Sequence, residues 1–227
     1  MITQSMIDDA LRYIGIPQGK ADEQIRAKVY EGFEKLQQMI MLHKGQAKVT
    51  YQRVKVKLEE DYVGLCGTNY KIYSKDLSKL LKNSEICIVM AATLGIEVDR
   101  QIGLCQKFNM LEAMILDSCA SVLIDKVCDD AEAEIIDSLK EGEYLTMRFS
   151  PGYGDVPLEV SSYILDLLMA QKRMGLTLTK AQMLLPTKSI TALIGISNQK
   201  ENRQKSCGHC NLVKHCDYRR RGEKCGL

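Results

Sequence analysis

Arg148-Phe-Ser-Pro-Gly-Tyr-Gly-Asp-Val-Pro157 follows a short apolar, strand-like stretch and opens onto a helical pattern. Its residue types suit a zwitterionic ligand that carries a flat ring. Arg148 offers a planar fork of donors to a carboxylate. Gly152 and Gly154 let the backbone approach closely and take positive φ. Tyr153 supplies an aromatic face with a polar tip. Asp155 stands where a helix N-cap belongs, with Pro157 in the first turn. The same residues also build an ordinary Pro-Gly turn before a helix, and taken alone the plainer reading comes first.

Outward from this loop, strands and helices mix without strict alternation. Helices are predicted over 8–14, closed by Gly15, and over 22–43, where Ile25, Val29, Phe33, Leu36 and Ile40 form one stripe. The apolar positions from Val49 to Leu58 predict a strand that slips once near Gln52 and Arg53, as a bulge would. Val63 to Cys66 reads as a second strand, and Ser74 caps a short helix through Leu81. The continuous apolar run from Glu85 to Ala92 predicts a buried central strand.

Helices follow over 96–107 and 110–139, the second with room for one break. Tyr144 to Phe149 predicts a strand into the Arg148 loop. Val160, Ile164, Leu167, Leu168 and Met174 mark one helix ended by Gly175, and two strands surround Pro186. This order argues for an α+β fold with a mainly antiparallel sheet rather than a doubly wound one.

The 227 residues balance 45% hydrophobic against 26% charged, enough for a full core. A net charge of +2 does not advertise nucleic-acid binding. No apolar run reaches a membrane span, and the first residues are too polar for a signal peptide, so a cytoplasmic location with reduced thiols is expected. Cys66, Cys87, Cys105, Cys119 and Cys128 lie singly in apolar contexts and read as core residues.

Composition changes after residue 199. Residues 200–227 hold eight Lys or Arg against three acids, a balance of +5 that leaves the preceding body at −3. A basic tail suggests docking on an anionic partner, or simply a solvated end. Within it, Cys207 and Cys210 form a chelating pair that Cys216 and Cys225 complete, with His209 and His215 as alternative donors. Four thiolates suit zinc or an iron–sulfur cluster alike. The expected division is a body over 1–199 and a Cys-rich metal-binding tail over 200–227.

The block Arg148-x-x-x-Gly152-Tyr153, continued through Pro157, Gly175-Leu-Thr-Leu-Thr179 and Pro186-Thr-Lys-Ser-Ile190, resembles the activation domain of cobalamin-dependent methionine synthase. Leu11-Arg-Tyr-Ile-Gly15, Ala92-Thr-Leu-Gly-Ile-Glu-Val-Asp99 and Leu116-Asp-Ser-Cys-Ala-Ser121 look like the short, free-standing members of that family. The resemblance implies a single C-shaped α+β domain whose twisted, mainly antiparallel sheet is flanked by helices. It implies S-adenosylmethionine in a shallow groove, touched by Arg148, Ser150, Gly152, Tyr153, Gly154, Asp125 and Ser189.

In this picture Arg148 binds the methionine carboxylate, and Asp125, Asp155 or Glu159 faces the sulfonium. Asp125 also reads as a solvated helix acid. The implied activity is reductive reactivation of cobalamin on a separate corrinoid protein, the methionine synthase core. A flavodoxin- or ferredoxin-like donor supplies the electron, and neither nucleic acid nor membrane takes part. The chain is then an activation component of a methyltransferase system rather than a complete enzyme. The contrasting expectation is a metal-stabilised interaction or electron-transfer protein whose tail docks a redox or corrinoid partner. A plain methyltransferase is disfavoured, because Gly64-Leu-Cys-Gly67 is a poor Gly-rich loop.

Overall fold

The computed structural model describes residues 1–16, 20–42 and 47–200, together with 214 and 220. The chain separates into two compact units. The first is built from Met1–Met39 and Gln101–Val122, the second from Ile40–Arg100 and Leu123–Glu201. Helices α4 (Ile96–Phe108) and α5 (Met110–Asp137) contribute residues to both.

The first unit is helical. Helix α1 (Gln4–Ile14) starts where the Thr3 hydroxyl accepts the Met6 amide and stops where Gly15 turns left-handed at φ 89°. Helix α2 (Glu23–Leu42) starts at Asp22, whose carboxylate accepts the Ile25 amide at 2.8 Å. Val29, Phe33 and Leu36 are completely buried at the spacing of one helix face. Gly32 lets α2 come close to α5, because a Cβ there would lie 2.9 Å from Ile115 Cγ2 and 3.3 Å from Cys119 Sγ. Arg26 ties α2 to Asp8 of α1 at 2.5 Å.

The second unit is α+β, an antiparallel sheet flanked by helices. Its six strands run in the order β3 (Lys71–Ile72), β2 (Val63–Leu65), β1 (Lys48–Leu58), β4 (Ser84–Thr93), β8 (Ser189–Ser197) and β5 (Tyr144–Leu145), all antiparallel. A separate pair joins β6 (Thr177–Leu178) to β7 (Leu184–Leu185).

Strand β4 lies in the middle, and every residue from Cys87 to Ala92 is fully buried, as its continuous apolar run demands. Val54, Cys87, Val89, Ala91 and Leu193 face one core, filled by Leu77, Leu80 and Leu81 around helix α3 (Lys75–Leu80) and by Val160, Ile164, Leu168 and Met174 around α6 (Val160–Leu167) and α7 (Ala170–Met174). The opposite face carries Ile88, Met90, Ala92, Ala192 and Ile194, also buried. On that face Arg53 reaches the Ser138 hydroxyl just beyond α5, at 2.6 Å.

Several expectations change. No bulge interrupts the pairing of β1 with β4, which runs unbroken from Lys48 opposite Thr93 to Lys55 opposite Ile86. The apolar alternation slips there because Val49 and Tyr51 point to one face and Val54 and Val56 to the other. The helix over 110–139 is a single unbroken α5. The helix expected to end at Gly175 is two, α6 and α7, separated by Met169 in the left-handed region at φ 49°.

The Cys-rich tail, with Cys207, Cys210, Cys216 and Cys225, lies outside the described residues. Among the described residues no helix is long and apolar enough to cross a membrane, and no group of three His, Cys, Asp or Glu is arranged to hold a metal ion. Of the five described cysteines only Cys66 is exposed, and burial pushes the thiols of Cys87, Cys119 and Cys128 up to about 12. Such thiols hold almost no thiolate at neutral pH. Mass-spectrometric mapping after brief alkylation of the native chain therefore finds Cys66 modified while Cys87, Cys119 and Cys128 react only in denaturant; prompt native labelling of the buried three contradicts this packing.

Candidate functional site

The segment leading to the loop is not one continuous strand. The Thr146 amide donates to Gly195 at 2.9 Å, and the Gly195 amide donates back to the Thr146 hydroxyl at 2.8 Å. Three residues later, Phe149 and Leu193 exchange backbone bonds at 3.0 and 2.9 Å. Met147 and Arg148 thus stand against the single residue Ile194. This surplus residue is a bulge, which turns side chains away from the regular pleat.

Arg148 enters a group of carboxylates on α5. Its Nη1 donates to Asp129 at 3.1 Å and also to Glu132, while Nη2 lies 3.6 Å from Asp125. The three acids sit at i, i+4 and i+7, one face of the helix. Burial acts to lower the Arg148 pKa, but Glu132 and its companions outweigh it and hold the guanidinium above its ordinary value. The cation expected to await a carboxylate is thus already paired along its Nη1 end. The Nη2 end makes an ion pair beyond hydrogen-bond length.

After Phe149 the chain makes tight turns. The Tyr153 amide donates to Ser150 at 3.1 Å, the Val156 amide to Tyr153 at 3.1 Å and the Gly152 amide to Val156 at 2.8 Å. Gly152 and Gly154 have φ of 91° and 55°, and both are crowded. A Cβ on Gly152 would lie 2.7 Å from Leu158, and one on Gly154 would strike the Asp76 carboxylate and lie 3.1 Å from Phe149 Cζ. Tyr153 stands at the tip, 69% exposed.

Asp155 does not cap the helix that follows it. The N-cap of α6 is Glu159, without a side-chain bond. Asp155 instead turns to α3, where its carboxylate accepts from the Ser74 hydroxyl, from the Lys75 amide at 2.8 Å and from the Asp76 amide at 3.2 Å. Ser74 in turn accepts the Leu77 amide at 2.9 Å. The correction has a topological cause: β2, β3 and α3 fold beside the loop, and their free amides outcompete the local cap.

The described structure therefore gathers Asp125 and Arg148 in one place, with Gly152, Tyr153 and Gly154 on the adjoining turns beginning at Ser150. Ser189 is not among them. It pairs with Thr93 at the start of β8, its hydroxyl 2.7 Å from Thr93 Oγ1 and 2.8 Å from the Pro186 carbonyl. Four residues of strand, about 13 Å, separate it from Leu193, the partner of Phe149. Asp129 and Glu132 are not among the residues expected from sequence, although their helical spacing from Asp125 is a usable signal. A cleft of about 310 Å³ in the first unit, lined by Lys28, Glu31, Lys35 and Glu112 among others, carries none of the predicted site residues.

Comparison with known proteins bears on this arrangement. Residues 118–223 match the family described as vitamin B12 dependent methionine synthase, activation domain. Among solved structures, the crystal structure of the MetH reactivation domain bound to AdoHcy shares the fold with a TM-score of 0.53 at 15% identity, over 97% of this chain and 82% of that one. No curated protein matches the sequence. The α+β fold is similar to that of this reactivation domain. Residues 118–223 are thus similar to the activation domain of vitamin B12 dependent methionine synthase.

The Asp155 contacts carry a measurable consequence. Burial tends to raise the Asp155 pKa, but the Ser74 hydroxyl and the Lys75 and Asp76 amides prevail and hold the carboxyl below its ordinary value. A depressed pKa stabilises the fold above the unfolded value of about 3.9, and this is lost as pH falls through the folded value. Asp155→Asn is expected to lower stability by about 1 kcal/mol at neutral pH, the usual effect of losing a cap. In urea unfolding that gap closes as the pH drops below the carboxylate range; a gap independent of pH contradicts an ionised cap.

Proposed function

We propose that this chain reactivates a corrinoid methyltransferase of the methionine synthase type, acting in trans by presenting S-adenosylmethionine to cob(II)alamin on another protein. The observation that carries the reading is the family match over residues 118–223, which contains both Asp125 and the Arg148 loop. The chemistry supplied by the bound groups is methyl transfer from S-adenosylmethionine with uptake of one electron, giving methylcobalamin and S-adenosylhomocysteine. The related reactivation domain bound to AdoHcy fits a site for that nucleotide. A flavodoxin- or ferredoxin-like protein of the cytoplasm is the electron donor in this reading.

The residues present suit such a ligand. S-Adenosylmethionine carries a sulfonium, an ammonium and a carboxylate, a net charge of +1. Asp125, Asp129 and Glu132 around Arg148 offer oxygens to its cationic groups, and Arg148 offers donors to its carboxylate. The ligand carboxylate takes the Nη2 side of Arg148, and Asp125 receives the neighbouring cation. The crowded Gly152–Gly154 backbone and the exposed Tyr153 ring border the adenosine. Ser150 belongs to the same turn, and Ser189 stands at the start of β8, paired with Thr93. In the tail, the thiolates of Cys207, Cys210, Cys216 and Cys225 form a donor set for zinc or an iron–sulfur cluster.

Calorimetric titration tests the site. S-Adenosylmethionine binds the full chain, and Arg148→Ala weakens it by about 2–4 kcal/mol, roughly 30- to 1000-fold. Asp125→Asn narrows the preference for S-adenosylmethionine over S-adenosylhomocysteine, because the pair differ by the sulfonium charge. Wild-type affinity in Arg148→Ala removes the loop from the site. For the tail, a brown chromophore bleached by dithionite in anaerobically purified protein identifies an iron–sulfur cluster, and a colourless protein with bound zinc identifies a structural site.

A further inference from the structure

We propose that Asp155 is a positioning residue for the ligand loop, acting through Ser74 and the first amides of α3; this rests on the nucleotide-binding reading above. The loop is anchored twice. At its start, Phe149 is bound to Leu193 on the central sheet through two backbone bonds. Near its end, Asp155 makes three bonds to Ser74, Lys75 and Asp76. Between the anchors lie Gly152, Tyr153 and Gly154, the residues assigned to the nucleotide.

The second anchor has no purpose in capping α6, the helix next in sequence, which begins without a side-chain bond. On α3 it shares the cap with Ser74, which accepts the Leu77 amide while Asp155 accepts the Lys75 and Asp76 amides. What Asp155 adds is a junction between two segments about eighty residues apart in sequence. Its effect on the loop is geometric. Holding Asp155 against α3 seats Gly154 on Asp76 and Phe149, where a Cβ has no room. It also keeps the turn in which Gly152 bonds to Val156, and Val156 is buried in the core. The Tyr153 ring is thereby left standing in solvent, 69% exposed, on a backbone that cannot sag. A binding loop held in its productive shape loses less freedom when the ligand arrives.

Two readouts decide the matter, one of them independent of any ligand. Amide hydrogen exchange in Asp155→Asn and in Ser74→Ala should show the Gly152 and Val156 amides exchanging about tenfold faster, with the central β4 amides unchanged. Titration with S-adenosylmethionine should show both variants weakened by about tenfold, while Ser74→Thr, which keeps the hydroxyl, retains both properties. Thr3→Ala removes the cap of α1 and serves as the control: it lowers stability and moves neither readout. Wild-type exchange at Gly152 and Val156 in both variants overturns the anchor. Loosened amides with unchanged affinity overturn the positioning role. If the wild-type chain itself fails to bind S-adenosylmethionine, the functional reading falls, and the exchange rates still decide whether Asp155 holds the loop.

Discussion

The pairing of β4 with β8 is the constraint on which the second unit depends. It joins Thr93 to Ser189 at one end and Ser84 to Ser197 at the other, with one irregularity between Ser84 and Ile86. Both strands are apolar on both faces, so slipping the register by one residue would exchange two cores at once. The candidate site is fastened to this ladder. Thr146 and Phe149 pair with Gly195 and Leu193 of β8, and the bulge between them sends out Arg148. Gly195 is open to this arrangement because a Cβ there would lie 2.5 Å from the Ser84 hydroxyl and 3.0 Å from Thr146.

On that frame the electrostatics are unequal by design of the helix rather than of the loop. Three acids recur on one face of α5, and the loop contributes a single cation against them. A guanidinium is suited to the position because its planar donors can serve several oxygens together. The pairing restrains the Arg148 side chain. The expectation of an isolated Arg awaiting a carboxylate gives way to a cation already held by acids of α5.

Much of the architecture was legible from local chemistry. Ser74, Gly15 and Gly175 marked helix ends because caps act within a few residues, and all three do so in the structure. The central strand declared itself because burial on both faces leaves a continuous apolar run. Non-local matters were not legible in the same way. The slip in β1 suggested a bulge, whereas the structure distributes its apolar residues between two differently covered faces. Asp155 resembles a local cap, yet the amides it satisfies belong to α3, about eighty residues earlier in the chain. The loop was recognised by its Arg-Gly-Tyr pattern, but the company Arg148 keeps depended on which helix passes beside it.

Strands β3 and β5, which bound the six-stranded sheet, are each only two residues long, and β3 bears Lys71. Long bare strand edges invite pairing with other chains, and short or charged ones deny them a template. At those two ends the sheet offers another chain no long strand to copy.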